Sequence, residues 1–117
     1  MNLSKKLKVI YKNFYKDIGY RKRSWKWENT LKLIIEILDA TYLKVDGVNR
    51  ENKILSIKIE TKELGNLVIV TTINRYLISY STGITDNLMW KPHILDKTAL
   101  EDVKKTLLKT RENNTGL

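Results

Sequence analysis

The hydrophobic period of this chain changes twice, and that change restricts its fold more than any single motif. Up to about residue 40, apolar residues recur at helical spacing. From Thr41 to Thr82 the pattern is that of strands, alternating over Lys53–Thr61 and β-branched throughout Leu67–Ile73, and after Thr98 the helical spacing returns. A period near 3.6 puts the apolar residues on one face of a helix; a period of two puts them on one face of a strand. Strands that follow one another through short turns pair antiparallel. The expected class is therefore α+β: two N-terminal helices, an antiparallel three- to four-stranded meander and a C-terminal helix, with the helices covering one sheet face. At 117 residues, with no repeat and no linker, one domain over 1–117 is expected.

Leu3, Leu7, Ile10, Phe14 and Ile18 form the first apolar stripe, and Gly19 is placed to end that helix. A basic loop completes residues 1–24. A second helix is expected over 25–40, opened by Ser24, Asn29 or Thr30 as cap. The meander occupies 41–82. Its first strand is expected to be Thr41–Val45, closed by the turn dipeptide Asp46-Gly47, with a polar loop at Asn49–Asn52. Lys53–Thr61 alternates cleanly, Leu67–Ile73 is apolar on both faces, and Asn74-Arg75 turns the chain into Tyr76–Thr82, which Gly83 ends. Residues 83–97, which hold Trp90, Pro92 and His93, are expected to be irregular. Thr98 and Glu101 form a capping box for a helix over 98–111, and 112–117 read as a frayed polar tail.

Charge is distributed as unevenly as the periodicity. Ten of the twenty-two Lys and Arg fall in the first thirty-two residues against two acids, Asp17 and Glu28, a local charge of +8; the rest of the chain holds twelve basic and eleven acidic residues. Six of the ten aromatics share that segment. A field of one sign attracts polyanions from a distance. Lys5, Lys8, Lys12 and Lys16 recur at helical spacing on a face separate from the apolar stripe. Tyr20, Arg21, Lys22, Arg23, Trp25 and Lys26 follow, placing guanidinium forks beside rings. Cations hold phosphates, and an aromatic face stacks an unpaired base for about 1–3 kcal/mol. These ten residues are the expected nucleic-acid contacts, with an unpaired strand favoured over a duplex.

The sheet offers a second surface. Leu43, Val45, Leu55, Ile57 and Ile59 are expected beneath the helices, leaving Tyr42, Lys44, Ser56, Lys58 and Glu60 outside. Depending on register, either Tyr76 and Tyr80 or Leu77, Ser79 and Ser81 join them.

Other chemistries find less support. A chain without Cys has no disulfide and no thiolate metal site, and one His leaves zinc without its usual ligands. No cofactor, metal or catalytic residue is expected. Asp46, Glu60 and Lys62 resemble the Asp…Glu-x-Lys arrangement of Mg²⁺ nucleases, with Glu28 or Glu36 as a third acid, though Glu-x-Lys is common in a Lys-rich chain. A further alternative is a protein partner, an accessory subunit or inhibitor docking through Tyr11, Tyr15, Trp25 and Trp27 on an acidic surface. No segment reaches the roughly 20 apolar residues a membrane helix needs, and no secretory leader is evident. The expected location is the cytoplasm, without integral membrane association. Homodimerisation would run along an open edge at Tyr76–Thr82.

Overall fold

The computed structural model describes residues 3–19, 25–82 and 88–115. Its elements are α1 (Leu3–Ile18), α2 (Trp25–Leu38), β1 (Ala40–Asn49), β2 (Ile54–Thr61), β3 (Asn66–Thr72), β4 (Tyr76–Thr82), β5 (Leu88–Ile94) and α3 (Lys97–Thr115). The strands form one antiparallel meander in the order β1-β2-β3-β4-β5. The α+β class and the order helix, helix, meander, helix are as the periodicity requires. No described helix is long and apolar enough to cross a membrane.

On β1 to β4 the buried inward residues are apolar except Thr71. Leu43, Leu55, Ile57, Ile59, Leu67, Ile69 and Leu77 are at most 5% exposed and meet Phe14, Ile18, Leu31, Ile34 and Leu38 of the first two helices and Leu100, Val103 and Leu107 of α3 in one cluster. Polar bonds lock the layers together. Trp27 Nε1 donates to the Ile73 carbonyl at 2.8 Å, and Arg75 Nη1 donates to Thr30 Oγ1 at 3.2 Å. Thr30 is therefore buried within α2 and is not its cap, and Asn29 is likewise an interior helical residue. Ser24 lies outside the described residues. The helix stops at Leu38, where Asp39 turns into the left-handed region at φ 52° and Ala40 opens β1.

Four details differ from the sequence expectations. Asp46-Gly47 does not end β1; the strand runs on to Asn49, and Asp46 is the extra residue of a bulge between the pairs Val45↔Ile57 and Gly47↔Ser56. The reversal comes later, where Asn49 Oδ1 accepts the Asn52 amide at 3.0 Å and Lys53 adopts φ 54°. This lets Val48 pair with Leu55, which a turn at Asp46-Gly47 would forfeit.

Residues 88–94, expected to be irregular, form β5. A shift between Leu77↔His93 and Ser79↔Met89 breaks the register there, and Pro92 lies in that span. Proline is tolerated in edge strands and at irregularities of this kind. Consequently Tyr76–Thr82 is an interior strand, and the sheet edges are β1 and β5. Gly83 lies outside the described residues.

A further shift, between Val70↔Ser79 and Thr71↔Leu77, leaves Ile78 unpaired in register with β3. Leu77 and Tyr80 consequently both face the helices, while Ser79 and Ser81 share the outer face with Val68 and Val70. Neither of the two expected groupings survives that bulge.

Lastly, α3 is capped by Asp96 and not by Thr98: Asp96 Oδ1 accepts the Ala99 amide at 3.0 Å. The helix reaches Thr115, beyond the expected end at 111 and into the expected tail.

Candidate nucleic-acid interface

The lysine stripe follows from how α1 is anchored. Leu7, Ile10, Tyr11, Phe14, Tyr15 and Ile18 are all buried, and the Tyr11 hydroxyl donates to the Glu28 carbonyl at 3.0 Å, tying α1 to α2. With that face held, Lys5, Lys8, Lys12 and Lys16 are all exposed. At about 3.6 residues per turn, the four fall within roughly 80° of arc. Asp17, the one acid of the helix, lies roughly 100° past the edge of that arc. Lys6 lies on that side too, and its ammonium is occupied: Nζ donates to the Ala40 carbonyl at 2.7 Å, fastening α1 to the start of β1. Among the described residues, no ion pair engages Lys8, Lys12 or Lys16. From Lys5 to Lys16 the rise is about 16 Å at 1.5 Å per residue, a length over which duplex DNA carries roughly ten phosphates.

A glycine follows the last residue of the helix. Gly19 adopts φ 79°, and its amide donates to the Lys16 carbonyl at 3.2 Å. Over it lies the guanidinium of Arg50, from the β1–β2 turn: a Cβ on Gly19 would stand 3.1 Å from both Nη1 and Nη2. Arg50 thus supplies a cation at the negative end of the α1 dipole. Nothing local in the sequence joins residue 50 to residue 19, so this contact has no signal in the periodicity.

Tyr20, Arg21, Lys22 and Arg23 lie outside the described residues. Trp25 and Lys26 open α2, with side chains outside the described set. Trp27 is a core residue, 2% exposed, with its ring 4.7 Å from that of Phe14. Tyr11 and Tyr15 are equally internal, which removes them from any exposed aromatic patch for a protein partner.

Asp46 and Glu60 do not converge. In register Glu60 is opposite Tyr42, four positions from Asp46 along β1, or roughly 13 Å at 3.3 Å per residue. A shared Mg²⁺ needs both carboxylates within about 2.1 Å of the ion. Glu28 and Glu36 belong to the helical layer behind the sheet, whereas Glu60 faces outward. Asp96 is committed to capping α3. Among the described residues, no three acidic or His side chains form a metal-binding group.

Tyr80 carries a displaced ionisation: burial raises its phenol above the ordinary value, a hydrogen bond with Thr106 partly offsets this, and the Asp102 charge adds to the rise. It is 2% exposed, between β4 and α3, and belongs to the packing.

No family model, curated protein or solved structure matches this chain.

Proposed function

We propose that the protein binds nucleic acid through the exposed face of α1, with Arg50 and the basic residues Arg21, Lys22 and Arg23 extending the contact. The observation that carries this reading is the alignment of Lys5, Lys8, Lys12 and Lys16 on one exposed arc of an anchored helix. Like charges at i,i+4 destabilise a helix by a few tenths of a kcal/mol per pair. Lys8, Lys12 and Lys16 carry that cost twice over, and a polyanion would relieve it. Because these are ammonium contacts to phosphate, binding is weakly sequence-specific.

The test is the triple substitution Lys8→Gln, Lys12→Gln, Lys16→Gln. It should weaken binding to unrelated sequences by a similar factor, and reduce the salt dependence by about one per lysine removed. Affinity and salt dependence equal to those of the parent protein would refute the reading.

A further inference from the structure

The helices cover one face of the sheet, and the opposite face carries a second cationic feature. Across β1 and β2, Lys44 and Lys58 are direct register partners, and Tyr42 stands opposite Glu60 in the next outward row. These four side chains line an open depression of about 310 Å³. The row through Lys44 and Lys58 continues to Val68 and Ser81.

This arrangement works against the stability of the sheet. Like charges directly opposite one another on a strand pair are destabilising, and Lys58 is half-buried on an interior strand. Two cations meet one acid, Glu60, and no ion pair joins them among the described residues. Tyr42 is 47% exposed, so its ring has a free face. Two ammonium groups beside an open ring match the two parts of a nucleotide, the phosphate and the base.

We infer that this depression binds one nucleotide of an unpaired strand, with its base stacked on Tyr42 and its phosphate held by Lys44 and Lys58. Val68 supplies apolar surface beside Lys58. A duplex keeps its bases stacked on each other and can offer this site only phosphate. The inference rests on the reading that the protein binds nucleic acid, but uses residues on the other face of the molecule from α1. It makes the chain a two-sided binder: the α1 lysines hold either form of the polymer, and the sheet face selects the unpaired one.

The experiment is a fluorescence-anisotropy titration with a labelled mixed-sequence single strand of about twelve nucleotides, long enough for one small binding surface, and with its duplex. Proteins compared are the parent, Tyr42→Ala, Tyr42→Phe, and the Lys8/Lys12/Lys16 triple variant, each shown to be folded by its melting curve. Loss of one stacked base corresponds to roughly 5- to 150-fold. Tyr42→Ala should lose at least about fivefold on the single strand and keep its duplex affinity. Tyr42→Phe should match the parent. Unchanged single-strand binding by Tyr42→Ala, or an equal loss on both polymers, overturns the inference. If the triple variant still loses affinity in that case, the α1 reading stands without the sheet site. If only the Tyr42 and not the triple substitution weakens binding, the sheet site stands and the α1 reading falls.

Discussion

Gly19 joins the fold to the basic surface, and replacing it with Ala perturbs both. Two separate penalties arise. An L-residue at φ 79° is in the left-handed region, which costs about 1–2 kcal/mol relative to Gly. In addition, the new Cβ would stand 3.1 Å from both terminal nitrogens of Arg50. These are the far end of a flexible side chain, so the guanidinium moves and gives up its place at the α1 C-terminus, worth about 0.3–1 kcal/mol. The total is about 1.3–3 kcal/mol. Urea unfolding of the parent, Gly19→Ala, Arg50→Ala and the double variant separates the terms. Gly19→Ala should cost about 1–2 kcal/mol in the Arg50→Ala background, because only the backbone penalty remains. A loss below about 0.5 kcal/mol in the parent, well under the left-handed penalty, would refute the argument from φ. Equal losses in both backgrounds would refute the contact with Arg50.

Other substitutions test the remaining joints. Asp96→Ala should destabilise the protein by about 0.5–2 kcal/mol, whereas Thr98→Ala should change stability by less than about 0.5 kcal/mol, both read from thermal melts. Trp27→Phe keeps a ring against Phe14 but leaves the Ile73 carbonyl without its donor, so a loss of about 1–3 kcal/mol is expected in urea unfolding. Tyr80 is held protonated in the fold more strongly than in the unfolded chain, so its contribution is complete below the ordinary tyrosine value of 10.0 and disappears as pH rises through its higher folded value. Melts between pH 9 and pH 11, bracketing about 10, should show a steeper alkaline loss for the parent than for Tyr80→Phe; identical slopes would contradict the assignment.

What the sequence made legible was whatever depends on local periodicity. The stripe Leu7, Ile10, Phe14, Ile18 and the alternation Leu55, Ile57, Ile59 each place their residues without knowledge of the partner, and the structure buries all seven. The lysine stripe was readable for the same reason. Features that arise from pairing were not. Asp46-Gly47 has the composition of a turn, and only the partnership of Val48 with Leu55 makes it a bulge. Residues 88–94 lack clean alternation because their register breaks near Pro92, so their identity as a strand depends on β4 offering an edge. The bulge at Ile78 turns Tyr80 inward, and Arg50 reaches Gly19 across the fold. The depression at Tyr42 lay between these cases. Alternation alone places its residues on the outer face, but the opposition of Lys44 to Lys58 depends on the register.

Phosphate contact by the α1 lysines underlies the proposed binding, and the salt dependence of single-strand binding measures that contact directly. Four lysines at about 0.7 released counterions each predict that log Kobs falls with log salt concentration at a slope of about −3 or steeper. A slope shallower than about −1, fewer than two phosphates neutralised, or no binding at the lowest salt tested, would contradict it.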